Sequence, residues 1–352
     1  MMNFKKIFPI ACGVVGLSTM LCAVEDGSYK TLAGFAPAKA NTAVYVDFDK
    51  LMDNEFVAEI ETLPEFQKIA EDGKTLHEQY KKSGMSLLIF GLLEDNANPN
   101  DSANGALLYA PADVSIDDIA KNLAEFAAGV AASQQQKAMA QLPESMKAQL
   151  AEQNIDFKVE KITINNLPAI RLTSTQDNGE LLITNLEKNL YYISIDSEAG
   201  VQMYLLSKHG LRGQLNNRMN NYVDKNYAMF MTMIPPLNNE DKMEAVEGFL
   251  NFKNSKQVQL LCSLAFADKA TAQVNLQQFQ GMFMMMTMML QGSEPELGNL
   301  IQKLVKINQN DTKIDIDFTA TVADVKKLTE LGKNMAEKQL QQQPNQLPVI
   351  QQ

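Results

Sequence analysis

The sequence predicts an α+β protein: mixed, largely antiparallel sheets flanked by helices, with a grammar that leaves room for two similar halves. Two observations carry that prediction. Short runs with apolar residues at every second position alternate with longer stretches whose apolar residues recur at steps of three and four. Strands also give way to helices at an acidic residue, where a side-chain oxygen can accept from the orphan amides of a first helical turn. The stretch Val258–Leu290 shows both. Val258, Leu260, Cys262, Leu264 and Phe266 alternate with polar neighbours, Asp268 is placed to cap, and Ala272, Leu276, Phe279, Phe283, Met286 and Leu290 form a helical stripe.

Taken in order, residues 1–23 read as a secretory signal peptide, with Lys5 and Lys6 ahead of an apolar stretch and Ala23 at the cut. Leu21 is too large for lipid attachment at Cys22, which disfavours a lipoprotein, and no later apolar run is long enough to cross a bilayer. Residues 24–40 read as a linker. A first α+β domain is expected over 41–210. Val44, Val46 and Phe48 form a strand ending at the cap Asp49, and Phe66, Ile69, Leu76 and Tyr80 make a helical stripe. The continuous apolar run from Ser86 suits a strand buried on both faces. The polar stretch from Asp95 is a loop before Ala106–Tyr109, and Ser115 with Asp118 makes a capping box. The Ala- and Gln-rich stretch 134–153 reads as a surface helical hairpin.

Phe157–Ile164, Ala169–Thr173, Leu181–Thr184 and Tyr191–Ile195 then alternate as an antiparallel meander, turned at Asn165–Asn166, at Asp177–Gly179 and at Glu187–Asn189. A helix with Val201 and Tyr204 ends by Gly210, and Leu211 to Lys225 reads as connector. A second α+β domain is expected over 226–338: a strand from Tyr227, a helix carrying Met243, Val246 and Phe249, and the 258–290 unit. After a break at Gly292–Pro295 come a helix through Val305, a strand at Ile314, Ile316 and Phe318, and a last helix with Val325, Leu328 and Leu331. The Gln-rich tail 339–352 has too few apolar residues to pack and reads as disordered.

The strand–acid–helix grammar recurs at Asp49, Asp113, Asp196, Asp268 and Asp324. Both internal duplication and convergence on a common capping solution produce it. The segments Asn41–Leu51 (NTAVYVDFDKL) and Leu260–Gln273 (LCSLAFADKATAQ following Leu260) resemble a loose group of predicted bacterial secreted or envelope proteins of unknown function with repeated α+β units. That resemblance implies a fold class and a location, and no activity.

The chain carries a net charge of −11 without a Lys/Arg block. Nucleic-acid binding and anionic-membrane binding both need a basic footprint and are disfavoured. After signal cleavage only Cys262 remains, on the covered face of its strand, and it reads as a packing thiol. The two histidines, His77 and His209, lack metal-ligand spacing, and Lys81 stands where a zinc-protease helix would need its second His. Asp47 with Asp49 and Asp315 with Asp317 sit two apart on strands, and solvated sheet faces account for them. No cofactor, no metal and no catalysis are expected.

The methionines remain. Met282, Met284, Met285, Met286, Met288 and Met289 crowd one helix. A helix apolar all round is normally buried, so the run reads first as core. The competing reading is an adaptable surface for a partner or a small lipid-like ligand, with Met282, Met285, Met286 and Met289 as its contact residues. A Cu(I) thioether site on Met282–Met286 or Met285–Met289 lacks a nearby His or Cys. The expected function is therefore an exported, non-catalytic interaction or structural module of the envelope, with a protein or envelope component as partner. Binding of a small apolar ligand beside the Met helix is the alternative.

Overall fold

In the computed structural model, residues 28–62, 85–91, 104–110, 114–125, 127–128, 156–175, 179–194, 198–225, 227–235, 242–254 and 256–342 are described. The expected signal peptide, the helix over 66–80 with His77, most of the 95–105 loop, the stretch 134–153, the caps at 113 and 196 and the tail beyond 342 lie outside them.

The chain is an α+β protein. Its described strands are β1 (Thr42–Asp47), β2 (Ser86–Gly91), β3 (Gly105–Tyr109), β4 (Phe157–Ile164), β5 (Leu167–Ser174), β6 (Glu180–Glu187) and β7 (Leu190–Ser194), followed by β8 (Met229–Met233), β9 (Met243–Asn254), β10 (Gln257–Phe266), β11 (Val305–Asn310) and β12 (Lys313–Thr321). They join in one 12-stranded sheet of order β11-β12-β10-β9-β8-β1-β2-β3-β7-β6-β5-β4. Every neighbouring pair is antiparallel. The segments 41–210 and 226–338 meet where β1 pairs with β8. Outward from that seam both sides run alike. Three consecutive strands come first (β1-β2-β3 and β8-β9-β10), then the last strand of each side (β7 and β12), then the strands before it.

The turns follow from residue type. Asn165 and Asn166 both take positive φ, 50° and 68°, the conformation a two-residue hairpin requires between β4 and β5. The helices are α1 (Tyr29–Phe35), α2 (Phe48–Met52), α3 (Glu55–Glu61), α4 (116–125), α5 (Glu198–Leu206), α6 (Gly213–Val223), α7 (Lys269–Ser293), α8 (Pro295–Leu304) and α9 (Val322–Gln342). α4 starts at the expected capping box: the Ser115 amide donates to Asp118 Oδ2 at 3.0 Å, and the Asp118 amide donates to Ser115 Oγ at 3.1 Å.

Several expectations need correction. The 24–40 linker contains α1, because Tyr29, Leu32 and Ala33 bury a helical face against the sheet and the Tyr29 ring meets Tyr45 edge-on at 5.9 Å. β1 stops at Asp47, and Asp47 rather than Asp49 caps α2, accepting from the Lys50 amide at 3.1 Å. The connector 211–225 holds α6, whose Leu215, Met219 and Tyr222 pack inward between exposed asparagines. The expected helix at Met243–Phe249 is strand β9, in which Ala245 and Glu247 face one side and Val246 the other. Val305 opens β11 instead of ending α8, and α9 runs on to Gln342.

On the β1–β7 side both sheet faces are packed. Val46, Leu108, Ile170 and Ile193 build one core, and Tyr45, Leu88, Leu107 and Tyr192 build the other with α1, α5 and α6. On the β8–β12 side the helices α7, α8 and α9 lie over the face carrying Val258, Leu264, Phe266, Ile314 and Ala320.

Candidate functional site

Helix α7 leaves β10 through Asp268, whose carboxylate accepts from the Thr271 amide at 2.8 Å and from the Thr271 hydroxyl at 2.9 Å. Those two bonds hold the Asp268 carboxyl below its ordinary range, the amide contributing most. The first half of the helix is seated. Ala272 is fully buried, and Leu276 and Phe279 pack against Leu264, Phe266, Ile307 and Ile314. The Gln280 amide donates to the Ile307 carbonyl of edge strand β11 at 3.3 Å.

Beyond Gly281 the outward side of the helix changes from glutamine to methionine. Met282, Met284, Met285, Met286, Met288 and Met289 are 53, 58, 60, 45, 61 and 71% exposed. The inward side of this half meets α8. Thr287 is buried and its hydroxyl donates back to the Phe283 and Met284 carbonyls at 2.9 Å. Gln291 donates to Asn299 Oδ1 at 2.9 Å and to Gln302 Oε1 at 3.2 Å, closing α7 onto α8. The expectation that this run is core is overturned. At about 100° per residue, six methionines spread round the helix, and a single neighbouring helix can cover only one flank of such a cylinder.

All four sequence-chosen residues, Met282, Met285, Met286 and Met289, sit on this surface. Met284 and Met288 belong to it as well, and the missed signal was the absence of any polar interruption opposite Thr287. From Ala270 to Ser293 no side chain is ionisable. The surface can offer dispersion and hydrophobic contact; it has no proton to move and no charge to place.

The opposite sheet face of the same side holds a polar row. Glu247, 1% exposed, takes Lys313 Nζ at 2.5 Å and Arg218 Nη1 at 3.4 Å. Ser263 Oγ donates to Asp315 Oδ1, and Gln259 donates to Asp317 Oδ2 at 2.5 Å. The paired acids 315 and 317 are thus half-buried and occupied by their own neighbours, not solvated as expected. Cys262 is half-buried, and burial and the nearby Asp315 charge push its thiol pKa up, which keeps it protonated. His209 stacks on Tyr204 at 4.7 Å with Nε2 on the Tyr204 carbonyl at 2.9 Å.

One cavity of about 310 Å³ lies between α1 and α6 at Tyr29, Lys30 and Asn216, and one of about 340 Å³ lies at Asp49, Asn54 and Phe252. Neither is lined by α7, so the methionines form an open face here and do not line either cavity. Among the described residues no group of three His, Cys, Asp or Glu side chains is placed to hold a metal, and no helix is long and apolar enough to cross a membrane. Comparison with protein-family models, with curated proteins and with solved structures finds no match.

Proposed function

We propose that this chain is an exported envelope protein that works by binding through the Met face of α7, without catalysis. The exposed run Met282–Met289 carries the reading. Burying each such side chain is worth about 1.5–3 kcal/mol, and a folded chain leaves that unrealised over a contiguous patch chiefly where a partner completes it. Methionine suits the task because its unbranched thioether repacks against different shapes. The apolar start of the chain, with Lys5 and Lys6 ahead of it, supports export. The shared strand order about the β1–β8 seam supports two related units.

The test is crosslinking in intact cells with the wild-type chain and with Met288→Glu. The variant should fold with unchanged circular dichroism and lose the crosslinked envelope species. An identical crosslinking pattern for both chains defeats the reading. Mass analysis of the purified protein checks export separately, the expected product beginning after Ala23.

A further inference from the structure

We propose that the Met face of α7 docks a second copy of this chain about a two-fold axis. The inference rests on reading that face as a binding surface and adds what binds it. The first argument is charge. The chain carries −11, so two copies repel, and a two-fold contact presents the same patch from both sides. Any net charge on such a patch meets its like. The stretch Ala270–Ser293 contains none, which makes this helix a face on which an acidic chain meets itself without that penalty.

The second argument is shape and area. With Ala272 and Thr287 buried, Val274, Gly281, Met285, Met288 and Met289 fall on the outward arc, with Met285 near its middle. A Cβ added at Gly281 or Gly292 would meet nothing within 4 Å, so both leave open space at the helix surface for a second backbone. Six methionines at 45–71% exposure present roughly 600 Å². A standard interface buries about 800 Å² per partner, so this face supplies most of what one needs. The adaptable side chains also let one surface fit its own copy. An anionic lipid surface, by contrast, is repelled by the rest of the chain.

The experiment uses the protein purified from the cells that make it. Sedimentation velocity should show a monomer–dimer equilibrium for wild type and at least about tenfold weaker association for Met285→Lys, at unchanged circular dichroism. Met285→Cys should form a disulfide-linked dimer with oxidised glutathione, much faster than Lys121→Cys on the exposed surface of α4. A wild-type chain monomeric to about 100 μM overturns the proposal, as does a dimer that Met285→Lys leaves intact. Flotation with neutral phosphatidylcholine vesicles that Met285→Lys abolishes, from a monomeric wild type, overturns it and assigns the face to lipid. A monomeric wild type whose crosslinked envelope species is lost in Met288→Glu overturns the second copy while the binding surface stands. A monomer with unchanged crosslinks ends both.

Discussion

The two sides of the β1–β8 seam share a strand order and differ in what covers them. On the β1–β7 side both faces of the sheet are filled, one of them with stacked rings: Tyr192 stacks on Tyr204 at 3.9 Å, and Tyr204 stacks on His209 at 4.7 Å. On the β8–β12 side one face holds an ion-paired polar row, and the long helix over the other face turns its methionines to solvent. Strand order therefore reports how the chain is connected, while cover reports where free energy has been left for something else. Substitutions on the two sides should separate those statements, the largest effects coming from the filled side.

Tyr204 gives the largest. It is fully buried, its ring lies between Tyr192 and His209, and its hydroxyl donates to the Phe35 carbonyl at 2.9 Å. Burial pushes its pKa far up, so the phenol stays neutral and the bond is kept at every accessible pH. Tyr204→Ala should lose about 3–5 kcal/mol in urea denaturation, from lost burial plus a cavity the stack cannot close. A loss below about 1 kcal/mol would mean that this side is no better packed than α7.

The next effect tests how α7 is held. A Cβ on Gly298 would stand 2.6 Å from Gln291 Cγ and 2.8 Å from the Gln291 backbone nitrogen. The side chain could turn away and the backbone could not, so Gly298→Ala should push α8 off α7 and cost about 1–3 kcal/mol. Faster amide exchange confined to 282–293 would confirm that α8 holds the Met half; uniform protection would refute it.

Much of this architecture was legible in the residues, and the failures have physical causes. Asp268, the break at Gly292–Pro295 and the Asn165–Asn166 turn declare themselves locally, since caps and positive-φ turns depend on a few adjacent atoms. β9 did not, because Glu247 occupies an inward position: a buried carboxylate satisfied by Arg218 and Lys313 breaks the two-residue alternation, and Met243, Val246 and Phe249 then mimic a helical step. α6 hid behind low-propensity asparagines that tertiary packing overrides. The Met face was half legible. Composition marks it as apolar on every side, but only the fold decides whether a neighbour arrives to cover it.

A smaller effect compares the capping boxes on the two sides. Asp324 accepts from the Thr321 amide at 2.9 Å and the Thr321 hydroxyl at 2.6 Å, and Lys303 Nζ stands 2.9 Å away. Burial pushes its carboxyl up, but the hydroxyl, the lysine and the amide outweigh burial and hold it at about 2, against an ordinary 3.8. A carboxyl whose folded pKa is depressed contributes fully above the unfolded value and loses its contribution as pH falls through the folded one. The window is therefore from about pH 4 down to about pH 2, and the stake is on the order of 1–2 kcal/mol. Asp324→Asn should flatten that part of the stability curve, read as urea midpoints at pH 5 and pH 2.5. Asp118 makes the same bonds from an exposed site, so Asp118→Asn should flatten it less.

The smallest effect is the most informative about α7. Met288 is 61% exposed and belongs to no core cluster, so truncating it removes contacts with water and little else. Met288→Ala should change stability by less than about 0.5 kcal/mol, and alanine's higher helix propensity can tip the sign toward stabilisation. Phe279→Ala, earlier on the same helix, should cost several times more, because its ring packs in the core beneath. Measured at low protein concentration, the pair separates a helix docked along its whole length from one docked only as far as Gly281. Measured again at high concentration, it adds a second reading: if copies associate through this face, Met288→Ala becomes destabilising only there, since mass action stabilises the associating wild type and not the truncated chain.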